Sequence, residues 1–343
     1  MKKILIIASI LMVVACQKQM PPKDYAVVQG TITNPIDSLK LRLYDAKNDK
    51  TIMIPVAKDG TFLDTLRMDE PTLFTAVYAD NFSLFVANDM DLKVEVDTKK
   101  FSETLKFTGK GEAENNYLRF KASEDRKLYG EDYREYYGLE QDAFDKKTKS
   151  YLEAVANTLK AKKAELDSTF VSTQEANLVA FEKDNLTAYQ EQQKINKALA
   201  KGNQSPEFTN YTNYAGGKSS LKDFRGSYVY IDVWATWCGP CKYEIPYLAK
   251  VEELYHGKNI KFISLSIDNL KDEAKWRAMI KDKKMGGVQL LADKDYESQF
   301  VQDYFIMGIP RFILIDPAGK IINYDAPRPS EEKLKTILDG LAI

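Results

Sequence analysis

The chain has 343 residues, which is too long for one ordinary compact domain and predicts two or three structural units. Its 44% hydrophobic and 29% charged residues are typical of a globular protein. The 49 basic and 50 acidic residues give a net charge of −1, so there is no positive field to attract nucleic acid, and we expect no nucleic-acid partner.

Residues 1–16 have the layout of a bacterial export signal. Two lysines precede an apolar run at positions 4–14, which as a helix would be only about 16 Å long and too short to span a membrane. Small residues then lead to Cys16, an arrangement that resembles the lipoprotein box, in which the cysteine is lipidated and becomes the mature N-terminus. A plain secretory signal with an incidental cysteine is the alternative. Gln17 favours, by the same resemblance, the outer membrane, and residues 17–24 form a polar tether.

Residues 25–110 contain short runs that alternate apolar and polar positions, separated by turns such as Lys58-Asp59-Gly60. This pattern predicts an all-β, sandwich-like domain, in which we find no catalytic constellation. Residues 111–200 lack proline and repeat their apolar positions at helical spacing, which predicts two or three long helices. One of these helices is predicted to begin at a capping box formed by Ser172 and Glu175.

Four tyrosines are clustered in this helical segment. The cluster either packs against a neighbouring domain or forms a surface that binds an unfolded client, and the sequence leaves both interpretations open. Its members are Tyr129, Tyr133, Tyr136 and Tyr137.

Residues 201–206 are predicted to be a linker, and residues 205–343 then alternate strands with helices. Such alternation predicts βαβ units and an α/β domain whose sheet is covered on both faces. The predicted strands are 228–234, 260–268, 288–291, 312–316 and 320–324, and the predicted helices are 240–255, 272–283, 295–304 and 330–341.

The central motif lies between the first of these strands and the first helix. It reads Trp234-Ala235-Thr236-Trp237-Cys238-Gly239-Pro240-Cys241. A CxxC pair in this context, with tryptophan directly before it, resembles the thioredoxin superfamily and its TlpA/ResA-like extracytoplasmic branch. The resemblance covers residues 205–343 and implies an α/β thioredoxin fold, and the β-rich region before it resembles the N-terminal domain of some Gram-negative lipoproteins of this kind.

If Cys16 is lipidated, Cys238 and Cys241 are the only thiols of the mature protein. A disulfide between residues three apart constrains the unfolded chain very little, so this pair is predicted to be redox-active rather than stabilising. Cys238 lies at a helix N-terminus, where free N–H groups and the helix dipole stabilise a thiolate. We therefore expect Cys238 to attack a client disulfide and Cys241 to resolve the mixed disulfide. Pro240 suits the first helical turn.

Two carboxylates are candidates for proton transfer. Asp232 is the only charged side chain in its strand, and burial there should raise its pKa. The resemblance places Asp232 behind the second cysteine. Glu244 lies one helical turn after Cys241, and Cys-x-x-Cys-x-x-Glu-x-Pro matches the TlpA/ResA-like pattern, in which this glutamate is an active-site acid. An edge-exposed aspartate and a solvated helix glutamate are the alternatives.

The resemblance also implies that Pro310 is a cis-proline facing the CxxC motif and that the Ile309 backbone pairs with a client strand. An ordinary trans-proline at a strand edge is the alternative. Arg311 departs from the threonine often found after this proline and would favour thiolates or acidic clients, or point to solvent. Trp237, Gly239 and Pro240 complete the predicted substrate-binding residues.

Other chemistries fit the sequence less well. Two free cysteines and one histidine cannot supply a four-ligand zinc site, and His256 would lie roughly 22 Å along the helix from Cys241, too far for a Cys–His hydrolase. A peroxiredoxin would need proline and threonine where this chain has Ile231 and Ala235. The remaining rival is a redox-sensing binding lipoprotein that uses the fold without turnover.

We therefore expect a thiol–disulfide oxidoreductase, acting as a reductase because the Gly-Pro between the cysteines resembles that of reducing thioredoxins. Its predicted clients are exported disulfide proteins or apocytochromes c. Its electron donor is predicted to be an inner-membrane thiol transporter of the DsbD/CcdA type. We expect no nucleotide, flavin or metal cofactor.

Overall fold

The computed structural model describes residues 21–343. The predicted signal, the lipidation site Cys16 and residues 17–20 of the predicted tether lie outside the described residues. The chain divides into two compact units, the first ending at Thr187 and the second running from Ala188 to Ile343. Among residues 21–343, no helix has the length and apolar character needed to cross a membrane.

The first unit begins with eight strands arranged in two sheets. In chain order the strands are β1 (Ala26–Thr33), β2 (Leu41–Asp45), β3 (Lys50–Ile54), β4 (Thr61–Leu66), β5 (Thr72–Tyr78), β6 (Asp80–Val86), β7 (Asp91–Asp97) and β8 (Lys106–Lys110). One sheet has the order β4-β1-β7-β8 and the other β3-β2-β5-β6. Burial alternates along β1 and β7 because successive side chains point to opposite faces, and Phe82 of one sheet packs against Phe107 of the other. The predicted all-β, sandwich-like region is confirmed.

The remainder of the first unit is helical. Its helices are α1 (Phe101–Thr104), α2 (Glu112–Tyr129), α3 (Tyr133–Tyr137), α4 (Gln141–Lys162) and α5 (Ser168–Ala198), of which α5 continues into the second unit. The predicted helix start at Ser172 is wrong, because α5 begins one turn earlier. Asp167 Oδ1 accepts a 2.9 Å hydrogen bond from the Phe170 backbone N–H and so caps the first turn.

The tyrosine cluster packs within this helical segment. Tyr136 is buried, its hydroxyl lies 2.6 Å from Thr148 Oγ1 in α4, and it accepts a 2.8 Å hydrogen bond from Asn185 Nδ2 in α5. Tyr133 is exposed. The buried Tyr136 therefore packs against helices α4 and α5 of its own segment, and not against a neighbouring domain as one of the two interpretations had it.

The second unit contains a seven-stranded sheet. Its strands are β9 (Tyr211–Asn213), β10 (Lys218–Ser219), β11 (Tyr228–Trp234), β12 (Ile260–Ser266), β13 (Val288–Leu291), β14 (Arg311–Ile315) and β15 (Ile321–Asn323), and its helices are α6 (Gly239–Leu254), α7 (Glu273–Lys283), α8 (Gln299–Asp303) and α9 (Glu332–Asp339). The strand order is β10-β9-β13-β12-β11-β14-β15, with β11, β12 and β13 parallel and β14 antiparallel to β11. The predicted α/β class is confirmed.

Alternation along β11 gives the sheet two different faces. Ile231 and Val233 belong to a core that includes Trp276 of α7 and Phe300 of α8. Tyr230 belongs to the opposite core, together with side chains of α6 and α9. Asp232 therefore points to the face that α6 and α9 cover.

Residues 201–206, predicted as a linker, are attached to the sheet of the second unit. The Gly202 N–H donates to Ile321 O (2.8 Å) and the Ser205 N–H donates to Gly319 O (3.0 Å). Leu199 is buried in the core of the second unit with Ile195 packed against it. This packing explains why the second unit begins within α5 rather than at residue 205.

Two further elements of the second unit differ from the sequence-based expectation. The predicted helix 295–304 is divided into a single 3₁₀ turn (Asp295–Glu297) and α8, because Ser298 between them has an extended backbone (φ −60°, ψ 134°) that a continuous helix does not allow. The hairpin of β9 and β10 was not predicted. It turns at Gly216 and Gly217, whose φ angles of 107° and 72° favour glycine.

Candidate active site

Cys238 and Cys241 lie at the junction of β11 and α6, and they are joined in a disulfide with Cα atoms 5.3 Å apart. Cys238 is the N-cap residue of α6, and its Sγ accepts a 3.0 Å hydrogen bond from the Cys241 backbone N–H. Pro240 occupies the first turn of the helix, as the sequence predicts. This N–H and the positive end of the helix dipole would stabilise a thiolate on Cys238 in the reduced protein.

The loop before β14 faces this disulfide. The Ile309–Pro310 peptide bond is cis, as predicted, and Ile309 O lies 3.8 Å from Cys238 Sγ. Both residues of this loop are half-buried. A main-chain carbonyl next to the reactive sulfur is suitably placed to pair with an extended segment of a client.

The surface around the motif is partly apolar. The exposed fraction is 54% for Trp237 and 91% for Met307, whereas it is only 4% for Cys238 and 2% for Cys241. Gly239 and Pro240 are also exposed. The predicted substrate-binding residues of the motif are thus accessible to a client, whereas the two cysteines themselves are buried.

Asp232 is buried in β11, with an exposed fraction of 4%. Burial, followed by the negative charges of Glu244 and Glu252, raises its pKa to about 8, and the Ser264 hydroxyl on the adjacent strand opposes the shift. The predicted upward shift is therefore present. A carboxyl group with such a pKa can both take up and release a proton near neutral pH.

Glu244 is also buried, one turn into α6 from Cys241. Its two carboxylate oxygens accept hydrogen bonds from Ser330, one from the backbone N–H (3.0 Å) and one from the hydroxyl (2.9 Å). Glu244 is therefore fixed to the segment before α9, a contact that the sequence does not reveal because 86 residues separate the partners.

Asp268 was missed by sequence analysis, which placed it at the end of a strand. Its carboxylate accepts hydrogen bonds from the Thr236 backbone N–H (2.9 Å), the Thr236 hydroxyl (2.7 Å) and the Ser266 hydroxyl (2.8 Å). All three residues are buried. Because Thr236 directly precedes Trp237, Asp268 fixes the turn that carries the CxxC motif. A Ser-x-Asp sequence after a buried parallel strand is the signal that could have indicated it.

The structure also shows the surroundings of Arg311 and His256, two residues considered in the sequence analysis. Arg311 does not simply point to solvent, since its Nε lies 3.4 Å from Asp325 Oδ1 and its side chain is largely buried. His256 is exposed just after α6. Within residues 21–343, no group of three or more His, Cys, Asp or Glu side chains is arranged to hold a metal ion.

Comparison with known proteins agrees with this site. Residues 200–338 match the protein-family model described as Redoxin. Thiol-disulfide oxidoreductase ResA of Bacillus thuringiensis subsp. konkukian (strain 97-27) is 31% identical over 137 residues, covering 40% of this chain and 76% of that protein. Thioredoxin-like protein YneN of Bacillus subtilis (strain 168) is 28% identical over 151 residues, covering 44% of this chain and 86% of that protein.

Solved structures with the same description also resemble part of the chain. The crystal structure of the thioredoxin domain of a thiol-disulfide oxidoreductase from Bacteroides vulgatus is 32% identical, with a TM-score of 0.37, and covers 41% of this chain and 96% of that one. A thiol-disulfide oxidoreductase from Bacteroides fragilis NCTC 9343 is 28% identical, with a TM-score of 0.36, covering 40% of this chain and 98% of that one.

Proposed function

Since this chain belongs to the thioredoxin superfamily, among the thiol-disulfide oxidoreductases related to ResA, we propose that it is a reductase of disulfides in exported proteins. One arrangement carries this proposal. A disulfide caps the N-terminus of α6 with Ile309 O 3.8 Å from Cys238 Sγ, and a buried acid lies in the strand that leads to the motif. The Gly-Pro dipeptide between the cysteines favours reduction over oxidation, by its resemblance to reducing thioredoxins.

The reaction consists of two thiol–disulfide exchanges. The Cys238 thiolate attacks one sulfur of the client disulfide, forms a Cys238–client bond and releases the other client sulfur as a thiolate. Cys241 then loses its proton and attacks Cys238 Sγ, which restores the enzyme disulfide and releases the second client sulfur. Two electrons pass from the enzyme to the client, so the disulfide form is the oxidised enzyme.

The two carboxylates divide the proton handling in this scheme. Asp232 accepts the Cys241 proton, since its Oδ1 has no hydrogen-bond partner within the described part of the chain. Both oxygens of Glu244 are occupied by Ser330, so Glu244 acts through its charge, which helps to raise the pKa of Asp232. A raised pKa suits a base that must take up and release a proton in every cycle.

The clients are proteins that present a disulfide in an extended segment. Such a segment would pair with the Ile309 backbone and lie across Trp237, Gly239 and Pro240, all of which border the sulfurs in sequence or in space. Apocytochromes c awaiting haem are one such client class, and other exported disulfide proteins are another. No cofactor beyond the redox-active disulfide takes part.

The proposed location is the periplasmic side of the outer membrane, with a lipid anchor on Cys16. This rests on the basic start, the short apolar run and the small residues before Cys16. Electrons would come from an inner-membrane thiol transporter of the DsbD/CcdA type, because an exported dithiol needs a reductant from outside its compartment. Replacing Cys16 with serine should release the protein from the membrane fraction, and a variant that stays membrane-bound would contradict the anchor.

The deciding experiment is a redox titration of the Cys238–Cys241 pair in dithiothreitol or glutathione buffers, followed by client turnover with wild type and Cys238→Ser. A reductase should have a potential close to that of thioredoxin, about −270 mV, whereas an oxidase or isomerase would lie towards DsbA, about −120 mV. Loss of turnover in Cys238→Ser is expected. A pair that never titrates reversibly would instead favour a redox-sensing binding lipoprotein.

A further inference from the structure

A row of polar side chains crosses the sheet beneath α6. Asp232 in β11 pairs in register with Ser264 in β12, and Ser264 pairs in register with Gln289 in β13. All three side chains are buried. Strand residues that are partners in register point to the same face, so the three side chains form one line across three parallel strands. Polar groups at such positions are costly unless they are hydrogen-bonded.

This row concentrates unpaired polar atoms. Asp232 Oδ1, Ser264 Oγ and Gln289 Oε1 have no hydrogen-bond partner of normal geometry among residues 21–343, although the Ser264 hydroxyl is near enough to Asp232 to lower its pKa. Six buried side-chain polar atoms in the described part of the chain lack a hydrogen-bond partner of normal geometry, and these three are half of them. Buried polar groups are almost always hydrogen-bonded to protein or to ordered water. We therefore expect ordered water molecules to bind along this row.

A cavity of about 270 Å³ lies over two members of this row, Ser264 and Gln289, and Asp232 adjoins it through its register partner Ser264. Ser264 and Gln289 contribute its buried floor, while the exposed lysines Lys242, Lys283 and Lys284 stand at its rim. A water molecule occupies roughly 30 Å³ of liquid volume, so the cavity can hold several water molecules in contact with the polar floor.

Glu252 of α6 lines the wall of the same cavity. Its carboxylate lies against the backbone of Gly286 and Gly287, where a Cβ would come within 2.2 Å of Oε2 at the first position and 2.7 Å of Oε1 at the second. The two glycines therefore provide the space for this carboxylate. Glu252 is half-buried, between the closed floor and the open rim.

Glu252 and Asp232 are electrostatically linked. The charge of Glu252 contributes to the raised pKa of Asp232, which is about 8, and burial raises the pKa of Glu252 to about 7. Transfer between two acids with such similar pKa values costs little free energy in either direction. The other charged or titratable side chains around Glu252 are Glu244, Lys242, Lys283 and Lys284 on one side and Glu253, Tyr255, His256, Lys258 and Lys261 on the other.

We propose that this cavity is the proton exit of the active site and that Glu252 is its relay to solvent. The idea rests on the proposed function, in which Asp232 receives the Cys241 proton during resolution of the mixed disulfide. The proton leaves the Asp232 carboxyl group, passes along water molecules over Ser264 and Gln289, and protonates Glu252, which releases a proton to bulk water at the rim. The steps run in reverse when the disulfide is reduced again. Glu252 touches no reacting sulfur and acts only through Asp232.

The test compares Glu252→Gln with Glu253→Gln, which removes the same charge from the neighbouring exposed position of α6. Client turnover is measured in the purified full chain at low and at high imidazole concentration, because a small buffer acid can replace a lost relay. Glu252→Gln should lower turnover on the order of tenfold at low imidazole, less than the roughly 100- to 10,000-fold typical of a group that exchanges a proton with the reacting atom, because Glu252 acts only through Asp232. High imidazole should restore it, Glu252→Asp should retain most of the rate, and Glu253→Gln should match wild type throughout.

Two further measurements separate a relay from other roles. The reduction potential of the cysteine pair should change in Glu252→Gln only by the small effect of the lost charge on Asp232, and far less than the rate, since a relay alters a rate and not an equilibrium. Infrared spectroscopy after a pH jump can measure the rate of Asp232 protonation directly. It compares Glu252→Gln with Glu253→Gln and wild type without any client. Wild-type-like exchange in Glu252→Gln, or a loss that imidazole does not rescue, would overturn the relay. Absence of client turnover by wild type would instead contradict the proposed reductase, and the infrared comparison would still decide the relay.

Discussion

Replacing Asp232 with asparagine should make the second unit more stable at alkaline pH. The carboxyl group is buried in β11, and burial with the charges of Glu244 and Glu252 raises its pKa to about 8 from an ordinary value of 3.8. The folded state therefore holds the proton more tightly than the unfolded state. Asparagine keeps the size of the side chain and removes the ionisation.

The sign and size of the effect follow from this shift. Below an ordinary aspartate pKa of about 4, both states are protonated and the carboxyl group costs nothing extra. Between that pH and about 8 the unfolded state ionises first, so the free energy of unfolding of the wild type falls as the pH rises. At roughly 1.4 kcal/mol for each pKa unit, the full penalty above that range is on the order of 5 kcal/mol.

Tryptophan fluorescence is a suitable probe for this measurement. The three tryptophans, Trp234, Trp237 and Trp276, all lie in the second unit, so their emission reports its unfolding and not that of the first unit. Guanidinium titrations of the oxidised protein at about pH 4 and about pH 9 should give nearly equal stabilities at the lower pH and several kcal/mol in favour of Asp232→Asn at the higher.

Asp282→Asn serves as the matched control, because Asp282 is exposed in α7. It should leave the pH dependence of stability as in wild type. If Asp232→Asn gave the same stability difference at both pH values, or none at the higher, Asp232 would not be the buried acid with a raised pKa that the mechanism requires. In the same variant, client release from the mixed disulfide should slow, since no carboxylate remains to accept the Cys241 proton.

Three other substitutions test the rest of the site. Cys241→Ser should trap a client on Cys238 as a mixed disulfide, visible as a mass increase that reductant removes; a chain that stays unmodified would contradict the resolving role. Asp268→Ala should lower the free energy of unfolding by about 2 to 4 kcal/mol, since the Thr236 donors lose their acceptor, and an unchanged guanidinium midpoint would refute this. Trp237→Ala should raise KM for a protein client several-fold while stability changes by less than about 0.5 kcal/mol, because the indole is 54% exposed; an unchanged KM would exclude it from client binding.

The sequence predicts those parts of the site that depend on local order. The strand 228–234 is observed with the predicted limits, and the cysteines follow it at the start of a helix. A buried apolar run is typical of a central strand, and Gly-Pro is typical of a first helical turn, so both elements could be predicted from local sequence. The cis bond before Pro310 was predicted through the family resemblance. Partners far away in the chain were not predictable, as with Glu244 and Ser330, because spacing carries no information on which loop returns to a helix.

The errors in the predicted fold have local physical causes. A single helix was predicted over residues 295–304, yet the extended backbone of Ser298 interrupts it before α8. Residues 201–206 were interpreted as a linker from their Gly, Asn and Pro content. The N–H groups of Gly202 and Ser205 are in fact bonded to the carbonyls of Ile321 and Gly319, so the segment has an irregular backbone but is part of the second unit.

The polar row beneath α6 shows most clearly where reasoning from sequence stops. Ser264 and Gln289 each look like an unremarkable polar residue within an otherwise apolar strand, and only the parallel register places them beside Asp232 on one face. A slip of one residue in either pairing would turn that side chain to the opposite core and break the row. The proton path that we propose therefore depends on register and on the space left by Gly286 and Gly287, both of which are properties of the folded sheet. Any substitution that shifts β13 along β12 should slow proton transfer without touching a cysteine or a carboxylate.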